Sequence, residues 1–379
     1  MSAAHRIVAI ANDAVPGMGL PVSASGMRTA GLAAGLRAHG FDVTVTVPRH
    51  RVEHLEAGHA AFAAVPPGTM VLRYGALRQF LDTARPFATL ICNSNYIDEI
   101  EGAATGHIVF DFFAPKVLEA EGEGHGPAHL DALRARKRRA LDMASAVIVN
   151  GAKKLDYARD WIAQADPARP EIPVVEADMT YPWPARETEP APGALSVVVA
   201  GYYQRWLDYG NMFVELAGAL EAIPALRLTL LIPRLDVEIT QAIPGLAACL
   251  AHPRTEVRRI MLLDDYFRLL QRHDLFVDLF QPTEERRLAM VTRSVVALGM
   301  GVPIVHPGFT EVSGIVEESG AGWLLDPADP TALHDLLHRL AARPEELVAR
   351  RDAARALGLG RLAPADCLRA TAEMLGGMM

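Results

Sequence analysis

The chain has 379 residues, 50% of them apolar and 22% charged, with a formal charge of −8. That length favours two domains, each able to bury its own core. The acidic, aromatic-poor balance argues against nucleic acid as a partner, and three scattered cysteines, Cys92, Cys249 and Cys367, argue against a disulfide scaffold and suit a reducing cytoplasm.

The start, MSAAHRIVAI, is not expected to be a signal peptide, because Asn12 and Asp13 interrupt its apolar run. No run of 18 apolar residues predicts a membrane span; peripheral association through an amphipathic helix stays open. Residues 6–11 predict a buried strand, followed by the Gly- and Pro-rich loop NDAVPGMGLPVSASG. Met27 to His39 has helical periodicity, Gly40 stops it, and Phe41 to Val47 alternates as a strand. Strand, loop, helix, strand is a doubly wound beginning. Gly17, Gly19 and Gly26 do not fit the GxGxxG dinucleotide spacing.

Further units follow. Thr69–Tyr74 predicts a strand and Leu77–Thr83 a helix. Ala88–Cys92 predicts a strand ending in the polar cluster Asn93, Ser94, Asn95 and Tyr96. His107–Phe110 predicts a strand ending in Asp111. A charged helix is expected over Pro127–Met143, its RARKRR run (Arg134 to Arg139) forming a solvated face. Ala146–Asn150 and Pro173–Glu176 predict strands around a helix over Lys153–Ile162. The Pro- and Glu-dense stretch 183–195 reads as a linker. Domains are therefore expected over 1–182 and 196–360, with a final helical segment, 361–379, packing back on the first.

The second half restarts with a strand at Ser196–Ala200 and a polar, aromatic loop running from Gly201 through Tyr202, Arg205 and Trp206 to Asp208. Leu226–Ile232, Arg258–Leu262 and Leu275–Phe280 predict strands, with helices at Met212–Glu221 and Tyr266–Arg272. A helix over Arg293–Met300 then runs into the strand Val302–Val305 and the loop His306, Pro307, Gly308, Phe309, Thr310, Glu311. Ligands of doubly wound sheets sit outside the carboxyl ends of the strands, so this loop is a candidate ligand site. Helices over Asp329–Leu340, Pro344–Leu357 and Ala363–Leu375 complete the chain.

The order of parts resembles the GT-B glycosyltransferases, in particular the retaining, family-4-like group. SGMRTAGLAAGLRAHGFDVTV is similar to that group's first helix and second strand. ALDMASAVIVNGAKKLDYARDWI is similar to its strand and helix before the crossover, and GMGVPIVHPGFTEVSGIVEESGAGWLLDPADPTALHDLL to its donor-side segment. IVFDFFAPKVLEAEG is similar to a D-x-x-x-P-x-x-x-E segment of one bacterial subgroup, and VTRSVVALGMGVPIV to that subgroup's arginine-bearing helix. The resemblance implies an α/β fold of two doubly wound, Rossmann-like domains facing each other across a cleft. It also implies transfer of a sugar, with retention, from a nucleotide sugar on the second domain to an acceptor on the first. No cofactor is implied beyond the nucleotide-diphosphate sugar itself. Val296 and Gly314 stand where the group carries acidic residues, and no lysine follows Arg205.

The absence of a DxD motif, with this fold, leads to the expectation of metal-free transfer; Asp264–Asp265 reads as a helix cap. A leaving diphosphate then needs arginines and a helix N-terminus. Arg205, beside Tyr202, is the expected phosphate ligand; Arg293 and Glu285 are further donor-side candidates, as are His306, Gly308, Phe309, Thr310 and Glu311. Asp111 is the expected catalytic carboxylate, accepting the acceptor's proton or stabilising positive charge on the sugar. Gly17, Gly19 and Asn93 are expected near the acceptor. Glu119, Glu121, Glu123, His125 and His129 match no zinc spacing, and no metal site is expected. Two alternatives stand beside transfer: a GT-B-type sugar-nucleotide epimerase, and a non-catalytic binding subunit of the same fold.

Overall fold

The computed structural model describes residues 5–58, 63–92, 95–165, 171–201, 207–232 and 237–379. The chain divides into two compact units, Met1–Pro182 with Leu362–Met379, and Trp183–Arg361.

The first unit holds a seven-stranded sheet built from β1 (Arg6–Ile10), β2 (Asp42–Pro48), β3 (Thr69–Leu72), β4 (Ala88–Cys92), β5 (His107–Phe112), β6 (Ala146–Val149) and β7 (Val174–Glu176). Its order is β3-β2-β1-β4-β5-β6-β7, every pairing parallel. β1, β4 and β6 are mostly continuous apolar runs, because helices cover both faces of the sheet. Ile7, Leu90, Val109 and Ile148 face one core; Val8, Ile91, Phe110 and Val147 face the other. The strand order reverses between β1 and β4, which is the topological switch point.

The helix Ala24–Ala38 opens three residues before the expected start, because the Ser23 hydroxyl accepts the N–H of Gly26 and caps it. The helix Arg49–Gly58 follows directly on Pro48 and has no counterpart among the expected elements. In the helix Pro127–Met143 the basic run is split: Arg136, Arg138 and Arg139 face solvent, while Lys137 turns inward and is 4% exposed. The acidic residues before it form solvated pairs, Glu119 with Lys116 and Glu121 with Arg134.

Leu362–Met379 completes this unit. The helices Pro364–Cys367 and Arg369–Gly377 pack on Ala24–Ala38, and Leu368 and Leu375 are fully buried in its core. Gly35 makes the approach possible: a Cβ there would lie 2.5 Å from the Pro364 carbonyl oxygen and 2.6 Å from Leu368.

The second unit holds β8 (Leu195–Ala200), β9 (Leu226–Leu231), β10 (Thr255–Arg258), β11 (Leu275–Val277), β12 (Ile304–Pro307) and β13 (Gly322–Leu325). The order is β10-β9-β8-β11-β12-β13, again all parallel, with the switch between β8 and β11. Two expectations shift. The strand placed at 258–262 lies at Thr255–Arg258, and the one placed at 275–280 stops at Val277, leaving Asp278 just past its carboxyl end.

The stretch read as a linker is pinned to the second unit by tertiary contacts. The Trp183 ring packs on Gly299 and 6.3 Å from the Phe267 ring. Arg186 donates to the carbonyls of Thr188, Gly301 and Gln271 at 2.7, 3.3 and 2.8 Å. Among the described residues no helix is long and apolar enough to cross a membrane.

Candidate functional site

In the second unit, the carboxyl ends of β8, β11 and β12 carry a connected set of polar side chains. Asp278, just beyond β11, is 2% exposed. The Arg293 guanidinium grips it in a fork, Nε to Oδ2 at 2.8 Å and Nη2 to Oδ1 at 2.7 Å. Ser294, the next residue of the helix Thr292–Gly299, donates its hydroxyl to Asp278 Oδ2 at 2.8 Å. The same hydroxyl lies 3.3 Å from His306 Nδ1, and His306 Nε2 lies 2.8 Å from the Thr310 hydroxyl. Thr310 accepts the N–H of Val312 and caps the helix Glu311–Ser319.

Burial fixes the charges. It would raise the Asp278 carboxyl, but Arg293 outweighs it and holds the group below the usual carboxylate range. Burial likewise opposes the charge on Arg293, and Asp278 more than restores it. His306 is pushed down to about 4 by burial, so it is neutral near pH 7 and has one N–H to share between Ser294 and Thr310. Burial pushes the Tyr209 hydroxyl up to about 12. Tyr266 is pushed up too, and its buried hydroxyl has no hydrogen-bond partner among the described residues.

Arg293 lies directly on the backbone at the end of β8. Gly201, at φ +143°, has the guanidinium where a side chain would be: a Cβ there would fall 2.8 Å from Arg293 Nη1. That Nη1 is the guanidinium nitrogen not given to Asp278. The result is a cation of fixed orientation at the switch point, where doubly wound sheets bind ligands.

The expected donor-side residues divide as follows. Arg293, His306 and Thr310 belong to this network. Phe309 joins it through Phe280, whose ring lies 5.8 Å from Phe309 and 5.6 Å from His306. Glu285 is 5% exposed and paired with Arg286, whose guanidinium sits 5.5 Å from the Phe280 ring. Gly308 is the exposed tip of the loop, and Glu311 begins the next helix, 6% exposed. Val296 faces the core at 2% exposure. Tyr202, Arg205 and Asn93 lie outside the described residues. Asp278 and Ser294 were not expected; the one signal for the former is a single acid inside the apolar run LFVDLF.

In the first unit, Asp111 is enclosed in β5 at 0% exposure and held by Arg28 at 1%. Arg28 donates from Nη2 to Oδ1 at 2.9 Å and from Nε to Oδ2 at 3.1 Å. Its Nη1 reaches the carbonyls of Ala177 and Asp178, each at 2.8 Å. The pair therefore ties the helix Ala24–Ala38 to β5 and to the segment after β7. Arg28 is kept charged, Asp111 outweighing burial. Gly17 and Gly19 lie in the loop between β1 and that helix, both left-handed at φ +89° and +75°.

No protein-family model matches the sequence, and no curated protein sequence matches it. The structure, however, is similar to solved ones over almost its whole length. Sucrose-phosphate synthase from Thermosynechococcus elongatus matches with a TM-score of 0.67 at 14% identity, over 99% of this chain and 98% of that one. HepE from Anabaena, in complex with UDP and glucose, matches with 0.65 at 15%, over 98% and 100%. An α-glucosyltransferase in complex with UDP and a 13-mer DNA matches with 0.66 at 11%, over 99% and 100%. These neighbours are GT-B glycosyltransferases, and the two parallel sheets of this chain have the GT-B fold.

Proposed function

We propose that the protein is a glycosyltransferase that takes its sugar from a nucleotide-diphosphate donor held by the second unit. One observation carries the reading: the Arg293 fork, fixed by Asp278 and laid on Gly201 at the switch point of the second sheet. Breaking the bond between sugar and diphosphate leaves negative charge on the diphosphate. A guanidinium held in place beforehand stabilises that charge without reorganising as it develops. Arg293 supplies such a cation. Asp278 and Ser294 set its direction, and neutral His306 passes the constraint on to Thr310 and the loop through Gly308 and Phe309. Arg205 and Tyr202 remain candidates for the same phosphates, as Glu311 and Glu285 do for sugar hydroxyls. That two of the neighbours were solved with UDP supports the donor class.

Asp111 enters this reading as a positioning residue. With both carboxylate oxygens on Arg28, it fixes the helix that follows the Gly17–Gly19 loop, on the side expected to take the acceptor.

The test is a thermal-shift series with UDP, GDP, ADP, CDP and TDP. At about a hundredfold excess over Kd, the bound nucleotide should add about 2.7 kcal/mol of stability by mass action. The paired substitution Arg293→Gln with Asp278→Asn removes both charges together, avoiding a stranded buried ion. It should keep the fold and lose the shift. No response to any of the five nucleotides would sink the proposal. Product formed from a nucleotide sugar alone, without acceptor, would replace transfer by epimerisation.

A further inference from the structure

The carboxyl ends of β1, β2 and β3 meet at one edge of the first sheet, because the three strands are parallel. Ile10, Thr46 and Leu72 line a crevice there. It adjoins a recess of about 430 Å³, with His50, Tyr74 and Tyr96 on the walls of both. That is the size of a small-molecule site. We propose that the recess binds a small sugar carrying an anionic group, phosphate or carboxylate, with one hydroxyl reaching into the crevice, whose volume is about 20 Å³. Assigning that sugar as the acceptor rests on the glycosyl-transfer reading; the binding itself does not.

Thr46 supplies the first argument. It is 2% exposed, it lines the crevice, and its hydroxyl has no hydrogen-bond partner among the described residues. A buried hydroxyl left unpaired is unfavourable, and a ligand hydroxyl would pair it.

Charge supplies the second. The acidic residues of the walls are already matched. Glu99 accepts the N–H groups of Gly75 at 3.0 Å and Leu77 at 3.3 Å, and Asp98 accepts from Arg139 at 2.9 Å. Arg73 and Arg136 also line the cavity, one in each part, and both are exposed. Among the described residues neither has an ion-pair partner, unlike most arginines of this acidic chain. Two guanidiniums with no carboxylate partner leave the walls able to pair with an anionic group.

Shape supplies the third. Tyr96 holds a left-handed backbone, φ +60°, which is uncommon for a residue with a side chain. Its ring lies 6.3 Å from that of His50. With Tyr74, 74% exposed, it presents an apolar ring face and a polar tip, the combination that a hydroxylated ring matches.

Calorimetric titration of the full-length protein with glucose, glucose 6-phosphate and glucuronate, without any donor, tests the assignment. At least one anionic sugar should bind about tenfold or more tighter than glucose, and the two separate phosphate from carboxylate. The double variant Arg73→Gln, Arg136→Gln should erase that preference at an unchanged melting temperature. The UDP-induced shift, measured on the same variant, reports on the donor reading separately. Equal binding of all three sugars would overturn the proposal. So would a preference that survives in the variant, or inorganic phosphate binding as tightly as glucose 6-phosphate.

Discussion

Asp111 and Lys137 are both sealed inside the first unit, and substitution should separate their roles. Asp111→Asn would leave the Arg28 charge buried at 1% exposure without a counter-charge, facing only neutral acceptors, the amide oxygen and the carbonyls of Ala177 and Asp178. Breaking a buried pair in this way costs about 3–5 kcal/mol. Urea unfolding should show that loss; an unchanged midpoint would mean that the pair carries no structural weight. Among the described residues Lys137 has no carboxylate in contact. Its ammonium lies 4.5 Å from the rings of Phe112 and Trp161 and 5.6 Å from Tyr157. Burial lowers its pKa from 10.5 to about 7, with Glu119 pulling the other way. A lysine whose folded pKa is depressed binds fewer protons folded than unfolded between those two values. Stability should therefore rise with pH from about 7 towards 10.5, by up to about 1.4 kcal/mol per pH unit, and the penalty is complete only below 7. Relative to Lys137→Met, the wild type should gain about 2 kcal/mol between pH 7 and pH 9 in urea melts. Parallel pH profiles for the two proteins would rule the effect out.

At the scale of elements, the sequence was most readable where one local rule decides. IVAI, ATLIC and AVIV are buried on both faces, and their near-continuous apolar runs identify them as parallel strands. The helix Arg49–Gly58 has no such signal. Val52 and Leu55 are its apolar contacts with the core, and it starts without a loop after Pro48. The stretch 183–195 was read as a linker from its Pro and Glu content. What pins it is one tryptophan against Gly299 and one arginine on three carbonyls, contacts with no local signature. The candidate site followed the same division. His306, Thr310 and Arg293 were legible because they flank a strand end in a doubly wound pattern. Asp278 was not, because Leu275–Phe280 reads as one apolar strand; its end at Val277 is set by pairing with β8 and β12. Arg28 was hidden because its partner lies 83 residues away.

At the scale of the whole molecule, the order of the chain and its division in space do not coincide. The second unit, Trp183–Arg361, interrupts the first, which is completed by Leu362–Met379. The returning segment is built into the first core. Leu368 and Leu375 are fully buried there, the Thr180 hydroxyl donates to the Leu362 carbonyl at 2.6 Å, and the His39 ring meets the Ala365 carbonyl at 2.7 Å. Gly35 has no side chain because Pro364 and Leu368 occupy that space. Deleting 362–379 therefore removes part of the first core and nothing from the second. The two leucines alone account for about 3–6 kcal/mol of burial, at roughly 1.5–3 each. Hydrogen exchange on the shortened chain should show protection falling in β1, β2 and β6, while β8, β11 and β12 keep theirs. The nucleotide-induced thermal shift should persist, since Arg293, Asp278 and Gly201 all belong to the second unit. Equal loss of protection in both sheets would show that the last eighteen residues support the second unit as well.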